Sequence, residues 1–200
     1  MKGQVKPYEE ADVSDEGYPD GLILKSAIEE LNKLKAQQKP FFLGVGFFKP
    51  HLPFNAPKKY WDLYDRHSIP IASDPFIPRN VHVQSIGKMG EFYNYKLSDE
   101  KPTLDQSVSD GYARKLIHGY YASISYVDHL IGQLLLELKS LELDKNTIVV
   151  LWGDHGWHLG NDRKWGKHTL FDRSLKSALI IKLPGVNHAS KVIRGLRTVR

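Results

Sequence analysis

Two hydrophobic periods alternate along the chain. Leu24, Ala27, Ile28, Leu31 and Leu34 recur at helical spacing with Glu29, Glu30, Lys33 and Lys35 outside the stripe, which predicts an amphipathic helix of roughly four turns. Asp20 stands where it can cap that helix. Residues 40–48, PFFLGVGFF, are apolar on both alternating faces, the pattern of a strand covered on two sides. From Tyr112 a longer helix is predicted, with Leu116, Tyr120, Ile124, Val127, Ile131, Leu134, Leu138 and Leu141 spaced by three and four. Residues 147–152, TIVVLW, predict a second buried strand, and residues 177–183, SALIIKL, one more, closed by Pro184-Gly185.

Helix followed by a doubly covered strand occurs twice, which predicts an α/β fold: a layered, mostly parallel sheet flanked by helices. Residues 1–19 are polar and contain Pro7 and Pro19, so they are expected to form a loose lead-in to one domain over residues 20–185. Residues 186–200 form a basic tail carrying Lys191, Arg194, Arg197 and Arg200. Between the two units, residues 55–111 show no sustained period beyond a short helix expected at 58–64. The aromatic side chains Trp61, Tyr64, Phe76, Phe92, Tyr93 and Tyr95 mark this long excursion as ordered.

The net charge of +5 favours anionic partners, but outside the tail the positive residues are scattered. No basic stripe interleaved with aromatics is present, so no nucleic-acid partner is expected. The longest apolar runs are far too short to span a membrane, so no membrane partner is expected either. The first residues hold no apolar core of the signal-peptide kind, which leaves the compartment open. Without cysteine the chain has no disulfide and no thiolate chemistry. The pattern is silent on oligomeric state.

Candidate chemistry concentrates in residues 147–172. An apolar strand ends in Gly153, Asp154, His155 and Gly156, and in open α/β sheets ligands bind at such strand ends. An Asp carboxylate suits a hard divalent cation, although a Gly-Asp turn also serves local structure. His158, Lys164, Lys167 and His168 follow closely, and His51 lies beyond another strand end on a loop stiffened by Pro50 and Pro53. Several cationic and hydrogen-bonding groups around one point suit a tetrahedral sulfate or phosphate, with an imidazole to protonate the leaving group. His118 and His129 fall on the long helix and are read as structural, and His67, His82 and His188 as surface residues.

Four ordered segments, PFFLGVGFFKPHLPF, GYYASISYVDHLIGQLL, TIVVLWGDHGWHLG and WGKHTLFD, resemble the sulfatases of the alkaline-phosphatase superfamily, most closely the iduronate-2-sulfatase-like branch. The resemblance implies hydrolysis of a sulfate ester on a sugar or glycosaminoglycan. It implies one calcium ion, with Asp154 as ligand and His155 as ligand or sulfate contact. Lys167 would bind the sulfate and His51 the sulfate or the leaving oxygen; Lys49 is nearby, and His158 is either a substrate-rim or a structural residue. The family's formylglycine arises from a Cys/Ser-x-Pro/Ala-x-Arg motif that this chain does not encode, and the family's metal-binding aspartate pair is missing as well. The expectation is therefore a middle to C-terminal part of a sulfatase domain, with an incomplete calcium site and without the nucleophile. Two alternatives stay open: a phosphoesterase of the same superfamily, or a truncated, non-catalytic remnant that binds anions or glycans.

Overall fold

The computed structural model describes residues 4–97 and 100–186; most of the basic tail lies outside the described residues. The fold is mixed α/β. Strand β1 (Tyr8–Ala11) pairs in parallel with β2 (Phe54–Pro57), and helix α1 (Pro19–Gln37) lies between them in sequence. A short helix α2 (Lys58–Trp61) precedes the excursion, and α3 (Asp110–Ser140) runs for 31 residues. Strand β3 (Val149–Trp152) pairs with β6 (Leu179–Lys182), and β4 (His158–Leu159) pairs with β5 (Trp165–Gly166), both antiparallel. A short α4 (Asp172–Leu175) precedes β6.

The lead-in is not loose. Tyr8 is buried in the main core, and β1 supplies the parallel partner of β2. Asp20 is not the cap of α1 either, because Tyr18 is the N-cap and Pro19 begins the helix, where its missing N–H is no loss. The buried Asp20 carboxylate instead accepts the Phe48 backbone N–H at 2.6 Å, which ties α1 to the segment leading into His51.

Helix α3 is capped by Ser109, whose hydroxyl accepts the Tyr112 N–H at 3.2 Å. Its buried face differs from the predicted stripe. It runs through Tyr112, Leu116, Gly119, Ala122, Ser123, Tyr126 and Leu130, while Ile124 is exposed. Small residues win this face because β2 and α2 press directly onto it. A Cβ on Gly119 would stand 2.8 Å from a Trp61 ring carbon and 2.9 Å from Phe54 Cβ. Phe54, Trp61, Phe92 and Tyr126 fill the space so formed.

The two predicted buried strands turn out differently. Residues 41–48 form no regular strand and pair with none among the described residues. Phe41 and Leu43 pack against Leu31 and Leu138, whereas Phe42 is 94% exposed, so only one face is covered. Strand β3 forms as expected but is antiparallel to its partner, and Trp152 is 62% exposed. All four residues of β6 are exposed. The apolar pattern required cover on both faces; among the described residues, 41–48 are covered on one face and β6 on neither.

Candidate active site

Two distant loops meet at His51 and Lys167, whose Nε2 and Nζ lie 3.1 Å apart across 116 positions of sequence. Each loop is braced by a buried lysine. Lys49 Nζ donates to the carbonyls of His51 at 3.0 Å and Pro53 at 2.7 Å, holding the turn that presents the imidazole. The peptide bonds preceding Pro50 and Pro53 are cis. Burial pushes the Lys49 ammonium down to about 8, against the attraction of Asp20. Burial likewise raises the Asp20 carboxyl, against its bonds to the Phe48 and Lys49 backbone and the Lys49 charge.

Lys164 does the corresponding work for the other loop. Its fully buried ammonium donates to the carbonyls of Ile86 at 2.8 Å and Lys88 at 2.9 Å. Burial lowers its pKa. It is thus a clamp between the excursion and the β5 loop, and it is not one of the cations around an anion. At Gly87, in the left-handed region, a Cβ would meet the His168 carbonyl at 2.9 Å, so glycine lets the two segments close. Phe92 then packs against Trp165 with ring centroids 6.2 Å apart.

This clamp delivers Glu91, a residue that the sequence pattern did not single out. Its Oε1 lies 2.8 Å from His51 Nε2 and its Oε2 3.4 Å from Lys167 Nζ. The His51 Nδ1 is 2.7 Å from the Leu52 carbonyl oxygen, which can only accept. Nδ1 therefore donates to that carbonyl, while Nε2 stands between the Lys167 ammonium, which can only donate, and the Glu91 carboxylate, which accepts. Trp157 lies beneath Lys167, its ring centroid 5.6 Å from Nζ.

Asp154 and His155 form a separate pair. Asp154 Oδ1 accepts the His155 N–H at 3.0 Å, and Oδ2 is 3.3 Å from His155 Nε2. His155 Nδ1 donates to the Gly156 carbonyl at 2.8 Å. Neither side chain is bonded to His51 or Lys167; the link is Trp157, which follows them in the same loop. A Cβ on Gly156 would lie 1.9 Å from the Arg173 carbonyl oxygen, so this glycine is required by the close passage of the chain before β6. The Asp154 side chain is 79% exposed, with both oxygens turned to His155. Calcium needs about six to eight oxygens. Among the described residues, no group of three or more His, Cys, Asp or Glu side chains is placed to hold a metal. The donors present do not make up a calcium site.

His158 is enclosed, with its side chain 0% exposed. Its Nε2 shares a 3.0 Å hydrogen bond with the Thr169 hydroxyl, and its Nδ1 faces Asp162 Oδ2 at 3.2 Å. Burial lowers its pKa despite Asp162. These partners enclose the side chain. His118 is structural as expected: its ring accepts from Arg66 Nε at 3.0 Å and donates to the Trp61 carbonyl at 2.7 Å. His188 lies outside the described residues.

A braced imidazole and lysine thus meet at the loops of a mixed α/β fold. The fold agrees with solved structures. The yidJ protein of Bacteroides fragilis superposes with a TM-score of 0.61 at 28% identity, over 84% of this chain and 31% of that one. The phosphonate monoester hydrolase of Silicibacter pomeroyi superposes with a TM-score of 0.68 at 23% identity, over 86% of this chain and 34% of that one, a likeness of fold alone. The family model described as Sulfatase matches residues 2–199, and the chain belongs to the sulfatase family. It is 35% identical over 184 residues to the iduronate 2-sulfatase of Homo sapiens, covering 90% of this chain and 33% of that protein. The chain thus spans about a third of the length of the curated relatives it matches.

Proposed function

We propose that this chain forms one wall of the active site of a sulfuric ester hydrolase acting on a sulfated sugar or glycosaminoglycan. The observation that carries this reading is the meeting of His51 and Lys167 at 3.1 Å on two separately braced loops. Lys167 supplies fixed positive charge for a sulfate oxygen, and His51 supplies a proton to the departing alcohol oxygen. The sugar is proposed from the iduronate 2-sulfatase relative, which by its name acts on a sulfated iduronate.

Sulfatases as a family use a divalent metal and a formylglycine nucleophile. Asp154 and His155 are the residues of this chain proposed to reach a calcium ion. They supply too few donors by themselves, and no step is routed through that ion. The chain has no cysteine, so the nucleophile is proposed to come from sequence other than these residues. Residues 20–185 are proposed as the partial catalytic domain, to which β1 lends a strand.

Calorimetric titration of a sulfated uronate disaccharide into the purified chain tests the reading. Binding is expected to fall at least about tenfold in Lys167→Ala and in His51→Ala, since each removes a charge-assisted hydrogen bond. Binding that survives both substitutions would overturn it. Preference for a phosphate monoester over the sulfate ester would favour the phosphoesterase alternative.

A further inference from the structure

We propose that Glu91 is a displaceable anionic occupant of the sulfate position: a ligand's sulfate binds His51 and Lys167 by taking the place of this carboxylate. The proposal rests on the sulfate-wall reading above and adds a residue and a selection rule to it.

The carboxylate lies between the two proposed sulfate contacts, 2.8 Å from His51 Nε2 through one oxygen and 3.4 Å from Lys167 Nζ through the other. Two donors flanking one planar anion is the arrangement that would grip an edge of a sulfate. Beyond these two contacts the carboxylate has little support, because its Oε2 is buried and has no hydrogen-bond partner apart from the longer ion pair to Lys167.

The backbone beneath Glu91 is firm by contrast. Lys164 binds the carbonyls of Ile86 and Lys88, Phe92 is buried against Trp165, and the Met89 carbonyl accepts the Tyr93 N–H at 3.1 Å. Displacement therefore needs only rotation of a flexible side chain toward solvent. Sulfate and the Glu91 carboxylate cannot share the position, because two anions at contact distance repel strongly where water is partly excluded. An internal anion also sets a threshold. Free sulfate must compete with it unaided, while a sulfated sugar adds the contacts of its ring, so Glu91 selects esterified sulfate over the inorganic ion.

The test titrates inorganic sulfate into the 200-residue chain at constant ionic strength, following the His51 ring signals by NMR. Glu91→Gln keeps the shape and removes the charge, and sulfate is expected to bind it about tenfold more tightly than the wild type. Glu91→Ala should show the same gain, which excludes a new hydrogen bond from the amide as its cause. Adding Lys167→Ala to Glu91→Gln should abolish the gain. Equal or weaker sulfate binding in both Glu91 variants, with the wild type still responding at His51, would overturn the proposal and leave the sulfate wall standing. If His51 responds to sulfate in no variant, the wall itself falls and the proposal with it.

Discussion

The corner that carries His51 and Lys167 and the β3–β6 ladder are stabilised in opposite ways. At the corner, the two buried lysines are partnered: each clamp satisfies two carbonyls, and Phe92 and Trp165 pack together beside the Lys164 clamp. In the ladder, backbone pairing is complete across four positions while Val150, Trp152, Ile180 and Ile181 face outward. The contrast teaches that the proposed sulfate contacts need only what this chain supplies, whereas the strand that precedes Asp154 is paired with a strand exposed on both faces. Asp154 and His155 stand at the boundary between the two regimes, which fits their short donor list.

The largest effect is expected where the corner's core is tightest. Gly119→Leu drives a side chain into Trp61 and Phe54, and should lower stability by about 3 kcal/mol or more, read as a shift of the urea midpoint. A comparable loss from a substitution on the outer face of β6 would erase the distinction between the regions.

Next comes Lys164→Met. It keeps the stem and leaves the Ile86 and Lys88 carbonyls without their donor, and should cost about 2 to 3 kcal/mol. The loss should be accompanied by faster amide exchange over residues 86–93. A stability loss with unchanged exchange there would show that Lys164 does not clamp the excursion.

The Lys49 ammonium gives a pH signature. Its folded value near 8 lies below the usual 10.5, so between these values the unfolded chain binds more protons and stability rises with pH. Lys164, also lowered by burial, acts in the same direction. From 10.0 upward, tyrosines of the unfolded chain ionise while burial keeps Tyr18, Tyr60 and Tyr126 protonated in the fold, so stability then falls. Denaturant midpoints should therefore rise between pH 8 and 10, by about 2 kcal/mol for Lys49, and this part should vanish in Lys49→Met. A flat profile would contradict the buried clamp.

The smallest effect belongs to the exposed strand β6. Ile180→Thr should change stability by no more than about 0.5 kcal/mol while reducing self-association in sedimentation.

These regions also differ in how far the sequence revealed them. The α/β class, the long α3 and the approach of His51 and Lys167 were legible, because periodicity marks helices and the family motifs mark the two loops. The true face of α3 was not, since Gly119, Ala122 and Ser123 carry little hydrophobic signal and matter only once Trp61 and Phe54 press on them. Glu91 was invisible for a similar reason: it lies in an aperiodic stretch and reaches the site only through the Lys164 clamp. Lys164 looked like a ligand for an anion, and His158 like a possible one, because a sequence shows charge and cannot show burial. The cover expected over residues 41–48 and β3 was inferred from apolar residues on both alternating faces, a pattern that states what a strand needs and not what packs on it.

Residue-resolved hydrogen exchange on the unmodified chain tests the central claim, that the site corner is fixed independently of the open ladder. Slow exchange is predicted for the Phe54 and Trp165 amides and through the middle of α3, with β3 and β6 exchanging much faster. Protection of β3 and β6 equal to or greater than that of Phe54 and Trp165 would contradict it.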